Sequence, residues 1–435
     1  MSSVDPLFSL DSAPQALSAQ NLAGYHADSS DAAHHVKPLA VTLSSGFLGA
    51  GKTTLLQHVL QAPHGLKIAV IVNDMSELNI DGATIARDIQ LSRTEARLVE
   101  MSNGCICCTL REDLLVEIRR FAEQAQFDYL LIESSGISEP LPVAETFTFV
   151  DEDGVCLSDV ARLDTLVTVV DAVNFQRDYF AAEALAELGQ QAGEDDDRTL
   201  ADLLIEQIEF ANVLVLSKTD LISASELGKL THILRSLNPT ARIEVAEFGV
   251  IAPEKLLNTK LFQQQEAEQH PNWLREAPGE HVPETQEYGI GSFSFQARRP
   301  FHPRRFYQFL HQAWPEGRLL RSKGYFWLAS QPGVAWQWHQ AGGIARYNTA
   351  GYFWQALAKE QWPDDAQSLG HIEQSWQEPF GDRRQDLVFI GQQLDESSMR
   401  KQLQQCLLTD QELQLFSDGL FNEACPFSDE QEAAS

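Results

Sequence analysis

Five short, nearly unbroken apolar runs punctuate the first half of the chain: Leu39-Ala40-Val41-Thr42-Leu43, Lys67-Ile68-Ala69-Val70-Ile71-Val72, Tyr129-Leu130-Leu131-Ile132, Leu166-Val167-Thr168-Val169-Val170 and Val213-Leu214-Val215-Leu216. Runs this short, rich in branched side chains and free of polar alternation, predict strands buried on both faces. Helical spacing fills the gaps. From Thr54 to Leu60, for example, Leu55, Leu56, Val59 and Leu60 share one apolar face. Strands alternating with helices over residues 37–262 predict an α/β domain with a mostly parallel sheet.

Outside that region the pattern weakens. Residues 1–36 are rich in Ser, Ala and Asp without periodicity and predict a flexible extension, in which His34-His35 reads as a solvated pair. Glu194-Asp195-Asp196-Asp197 reads as a solvated acidic loop, and 263–288, polar with scattered Pro, as a linker. The composition then shifts. All eight tryptophans lie at or after Trp273, seven of them between Trp314 and Trp376. That clustering predicts a smaller α+β domain over 289–408 with its own aromatic core. Residues 409–435 are acidic and are expected to fray.

Composition narrows the partners. A chain of 435 residues is long enough for two or three domains. Its formal charge of −30 argues against nucleic acid and anionic membranes, both polyanions. No apolar run approaches a membrane span, and the N-terminus lacks a basic start and an apolar core, so it reads as no signal peptide. Six cysteines, three packed into Cys105-Ile106-Cys107-Cys108, are too few and too clustered for a disulfide scaffold. Reducing cytoplasm and a metal or redox role fit better.

Candidate chemistry begins after the first run. Gly46-Phe47-Leu48-Gly49-Ala50-Gly51-Lys52-Thr53 fits a phosphate-binding loop between a strand and a helix. Glycines let backbone N–H groups curl around phosphate, and the helix N-terminus adds its positive dipole end. Ala50 and Thr54 complete the expected nucleotide contacts. Lys52 is expected at the β- and γ-phosphates, and Thr53 on Mg²⁺. Asn73-Asp74-Met75-Ser76-Glu77 follows the second run, where a switch segment would face the γ-phosphate; Asp74 and Glu77 are the candidates to orient the attacking water. Glu133-Ser134-Ser135-Gly136 follows the third run: Glu133 is a candidate Mg²⁺ holder and the Gly136 N–H a γ-phosphate sensor. Ser217-Lys218-Thr219-Asp220 follows the fifth. The Asp220 carboxylate can accept from guanine N1–H and N2–H₂, donors that adenine lacks, which favours GTP over ATP and argues against an ATP-dependent kinase.

The cysteine cluster sits in a turn before a helical stretch starting at Arg111. Three thiolates within four residues suit a borderline ion such as Zn²⁺. Cys108, close to a helix N-terminus, would be acidified. A buried apolar patch or a redox pair are the competing readings. Three ligands rather than four suggest an open site that receives and releases its ion.

Taken together, Gly46 to Thr53, Asn73 to Asp81, Gly104 to Cys108, Glu133 to Gly136 and Ser217 to Asp220 resemble the CobW-type P-loop GTPases. In the C-terminal half, Arg299 to Pro303, Arg321 to Ala329 and Phe380 to Gln385 look like the CobW C-terminal domain, most like the YciC and ZigA branch. The resemblance implies a GTP-hydrolysing zinc metallochaperone or insertase, active under zinc limitation. It would use Lys52 and Thr53 for phosphate and Mg²⁺, Asp220 for guanine, and Cys105, Cys107 and Cys108 for Zn²⁺. Glu77 is a further candidate zinc ligand. The family's switch often carries a carboxylate before the Asn; here Val72 stands there, so that ligand is absent. The His-rich tract of some members is also missing. A client metalloprotein is the implied partner, with homodimerisation left open. His302, His311, His339 and His371 read as packed or surface histidines. Rival functions are a GTP-timed assembly protein with structural zinc, and a cobalt or iron chaperone.

Overall fold

The computed structural model describes residues 38–73, 97–101, 111–124, 126–147, 156–180, 199–263, 289–311, 317–342, 344–363 and 366–427. Among them, contacts divide the chain into two compact units: 38–263 with 341 and 342, and 289–340 with 344–427.

The first unit runs β1 (Leu39–Ser45), α1 (Lys52–Gln61), β2 (Ile68–Asn73), β3 (Arg97–Met101), α2 (Arg111–Gln124), β4 (Tyr129–Glu133), α3 (Pro140–Thr146), β5 (Ala161–Asp171), α4 (Phe175–Phe180), α5 (Leu200–Glu209), β6 (Val213–Ser217), α6 (Ala224–Leu237) and β7 (Arg242–Val245). Seven strands pair in the order β3-β2-β4-β1-β5-β6-β7, parallel throughout. The continuous apolar runs now have their reason. Val41 and Leu43 pack with α2 and α3 on one face, while Ala40, Val70 and Val72 pack with Leu55, Leu56 and Val59 of α1 on the other. No helix among the described residues is long and apolar enough to cross a membrane.

Beneath the sheet lies a polar latch. Asp164 of β5 is fully buried. Its carboxylate accepts from the Tyr129 hydroxyl at 2.9 Å, the Thr165 hydroxyl at 2.9 Å, and the N–H groups of Thr259 at 2.8 Å and Lys260 at 3.2 Å. The Phe262 N–H reaches the Asp164 carbonyl at 2.9 Å. Burial pushes the Tyr129 hydroxyl above its ordinary value, so it stays a donor. Asp164→Ala would strand these donors in a dry site, at an expected cost of about 3–5 kcal/mol. No tryptophan lies in 38–263, so the two units can be followed separately in urea. The midpoint by bound fluorescent nucleotide should fall, and the midpoint by tryptophan emission should not. A shared shift of both would refute a latch local to the first unit.

The second unit is an antiparallel sheet in the order β11-β10-β9-β12-β8, built from β8 (Ile290–Ala297), β9 (Arg318–Leu328), β10 (Gln331–Ala341), β11 (Ile344–Tyr352) and β12 (Gln385–Gln392). Among the described residues it is accompanied by α7 (Pro303–His311), α8 (Ala366–Ser375), α9 (Glu396–Cys406) and α10 (Asp410–Ser417). The expected aromatic core is present: Phe293, Phe306, Phe326, Trp336, Trp338 and Phe389 pack together.

One expectation is corrected here. The stretch after residue 408 is not a frayed tail over its described part. Thr409 and Glu412 form a reciprocal cap on α10. Glu412 accepts two 2.7 Å bonds from Arg305, which hold its carboxyl down at about 2. Phe427 is fully buried in the aromatic core. Acidic composition hid anchors that act through ion pairs from Arg299, Arg304 and Arg305 and through the rings of Phe416, Phe421 and Phe427.

Candidate functional site

Every strand of the parallel sheet delivers its carboxyl end to the same rim, where α/β sheets bind ligands. Strand order therefore sets the order of the chemistry. Across the centre of that rim, β4 presents Glu133, β1 the phosphate loop, β5 Asp171 and β6 Ser217 to Asp220.

The loop has the conformation a phosphate cradle needs. Gly46, Gly49 and Gly51 have φ of 136°, 72° and 98°, values that disfavour any side chain. A Cβ on Gly46 would also collide with the Val169 carbonyl. Ala50 is buried, and its carbonyl accepts from the Ser217 hydroxyl at 2.6 Å. That bond ties the phosphate loop to β6. Lys52 opens α1 almost fully buried, with its ammonium on the Gly46 carbonyl at 2.8 Å and the Phe47 carbonyl at 3.3 Å. Thr54 is exposed beside it.

The Thr53 hydroxyl donates to Glu133 Oε1 at 2.9 Å. Glu133 is 3% exposed, in register with Ser44 of β1 and Val72 of β2. A hydroxyl and a carboxylate, both hard oxygen donors at one helix N-terminus, fit Mg²⁺. Gly136 lies three residues on. A Cβ there would sit 2.8 Å from the Leu48 backbone nitrogen and closer still to its side chain, so only glycine fits against the phosphate loop.

At the other end, Lys218 takes a left-handed conformation at φ 56° and its ammonium pairs with Asp171 Oδ2 at 2.6 Å. Asp220 is exposed, open to a base. Burial alone would raise the Asp171 carboxyl, but bonds from Lys218 and Asn174 outweigh it and hold the group below its ordinary value. Asp171 was not legible in advance, because its partner lies 47 residues away. The turn after β7 was also missed. Phe248 and Gly249 both have positive φ, and Gly249 lies against the Thr54 methyl and the His58 ring. Its Phe-Gly pair was the available signal.

Asp74, Glu77, Cys105, Cys107 and Cys108 lie outside the described residues, as do His34, His35 and Glu194 to Asp197. Among the described residues no group of three or more His, Cys, Asp or Glu is placed to hold a metal. His302 packs edge-on to Phe421, and burial followed by the nearby Arg305 holds its imidazole below the ordinary value. His311 stacks on Tyr307 and bonds its carbonyl at 2.8 Å.

Comparison with known proteins agrees with this layout. Residues 40–244 match the CobW/HypB/UreG nucleotide-binding domain, and 290–407 match the cobalamin synthesis protein cobW C-terminal domain. A Dictyostelium discoideum protein named zinc-regulated GTPase metalloprotein activator 1 is 48% identical over 391 residues, 87% of this chain and 82% of its own length. The chain belongs to the CobW family. As a member it is a P-loop GTPase. The Escherichia coli CobW relative named zinc chaperone YjiA is 29% identical over 84% of this chain and 98% of its own. The crystal structure of Zn(II)-bound YjiA aligns with 24% identity and a TM-score of 0.37, covering 85% of this chain and 99% of that one.

Proposed function

We propose that this CobW protein is a GTP-driven zinc chaperone that loads a client metalloprotein. Cys105, Cys107 and Cys108 hold the zinc as cargo, with Glu77 a further ligand. The carrying observation is a register. β2 and β3 lie side by side at the sheet rim, with Asn73 opposite Met101. The segment bearing Asp74 and Glu77 therefore leaves the sheet one strand away from the segment bearing the cysteines. Two relatives named for zinc support the metal, and three soft thiolates suit it.

In this reading Lys52 and the loop N–H groups hold the β- and γ-phosphates. Asp220 reads guanine, and Thr53 and Glu133 would hold Mg²⁺, which would supply charge neutralisation to the phosphates. The Gly136 N–H meets the γ-phosphate. Asp74 or Glu77 orients the attacking water. Turnover without a partner is slow, because no Gln or Arg finger stands among the motifs. Ordering the 74–77 segment around GTP alters the neighbouring thiolates, and hydrolysis reverses that change.

The test is chelator competition for zinc with GDP and with a non-hydrolysable GTP analogue, on the wild type and on a Cys105→Ser, Cys107→Ser, Cys108→Ser variant. Wild type should hold about one zinc per chain, its affinity differing by about 5–150-fold between nucleotides. The variant should lose zinc at least tenfold while binding GDP normally. Undiminished zinc in the variant would refute the cysteine assignment. Equal affinities in both nucleotide states would refute the coupling.

A further inference from the structure

Gly136 is held from two sides. On one, Leu48 of the phosphate loop fills the space that a Cβ would need. From the other comes Gln207 of α5, which is 1% exposed. Gln207 Nε2 donates to the Gly136 carbonyl at 3.3 Å and to the Ser138 carbonyl at 3.2 Å. Two carbonyl acceptors fix which way the carboxamide faces, since only its nitrogen can donate. Its oxygen is then turned away and has no hydrogen-bond partner. Gln207 also lines a cavity of about 190 Å³, walled further by Leu48, Ala50, Val169, Phe175 and Leu204. Its own backbone is pinned, because the Thr168 hydroxyl donates to the Gln207 carbonyl at 2.6 Å.

This arrangement is asymmetric. Toward the phosphate loop Gly136 has no room for a side chain; toward α5 an amide holds the 136–138 turn by its carbonyls. An amide buried with one half unpaired is costly, so its place there calls for a compensating role. We propose that Gln207 is a positioning residue for GTP recognition: it fixes the Gly136 turn so that the glycine N–H faces the γ-phosphate, and it passes displacement of that turn to α5. The inference rests on the reading that Gly136 meets the γ-phosphate.

GDP has no γ-phosphate, so loss of the grip should fall on GTP alone. The test uses the full chain, zinc-free with Mg²⁺, and measures affinities for fluorescent GDP and for a non-hydrolysable GTP analogue. Gln207→Leu and Gln207→Met keep the volume and remove the donor. Each should bind GDP within about twofold of wild type and the analogue about 5–30-fold more weakly, the worth of two neutral hydrogen bonds. A role in packing alone would weaken both nucleotides alike; that result, or an unchanged ratio, overturns the inference. Failure of both variants to fold would assign Gln207 to the core and overturn it too. Hydrogen exchange at the Gly136 amide of the wild type separates the layers. If the analogue slows it more than GDP does while the Gln207 variants do not discriminate, only the Gln207 inference falls. If GDP and the analogue protect it alike, the γ-phosphate reading falls and the inference with it.

Discussion

Asp220→Asn is expected to change which base this GTPase accepts. The carboxylate offers two acceptors to guanine N1–H and N2–H₂. An Asn amide offers one acceptor and one donor. Its NH₂ would then meet the guanine NH₂, donor against donor, in a site built for pairing. Sites that read a hydrogen-bonding pattern reject the mismatched ligand by about 10⁴–10⁵-fold when fully buried. Asp220 is exposed, so a loss of about 10²–10⁴-fold for GTP is expected. Xanthine carries N1–H and a C2 carbonyl, which match the amide. The variant should therefore bind XTP better than GTP. Competition of both nucleotides against fluorescent GDP and XDP reads the exchange directly. A variant that keeps its preference for GTP would show that another group reads the base. The neighbouring Lys218 should stay in place, since Asp171 holds it.

Lys52→Ala should lower GTP hydrolysis by about 10²–10³-fold, the usual scale for removing one preorganised charge from a developing anion. The geometry gives a second reason. The ammonium bridges the carbonyls of Gly46 and Phe47, and so braces the loop whose glycines make the cradle. Lys52→Arg should not rescue, because a planar guanidinium cannot replace a compact ammonium in a site 8% exposed. Single-turnover hydrolysis at saturating GTP, with GDP affinity measured alongside, separates chemistry from binding. Retention of more than a tenth of the wild-type rate would remove Lys52 from the catalytic groups.

Much of the first unit was legible because parallel strands buried on both faces leave an uninterrupted apolar trace. Two strands left none. β3 reads Arg-Leu-Val-Glu-Met and β7 reads Arg-Ile-Glu-Val, alternating and charged. They are the two edges of the sheet among the described residues, where charged positions are common. The phosphate loop was legible because phosphate chemistry constrains consecutive residues. Asp164, Asp171 and Gln207 were not, since each works through partners tens of residues away, and in sequence Gln207 is one polar position in an amphipathic helix. The anchoring of Phe427 was hidden for the same reason.

The Asp164 latch also decides where load enters the GTPase unit. The last residues described before the second unit begins in sequence are stitched to β5 by Thr259, Lys260 and Phe262. Strand β5 lies directly beside β1, whose far end becomes the nucleotide cradle. A pull applied at residue 263 is thus borne by a central strand that also carries Thr168 and Asp171, and not by the outermost one. A tug there is a lever on the base-reading corner. In a stretching experiment, the grip on guanine nucleotide should loosen at forces below those that peel the sheet.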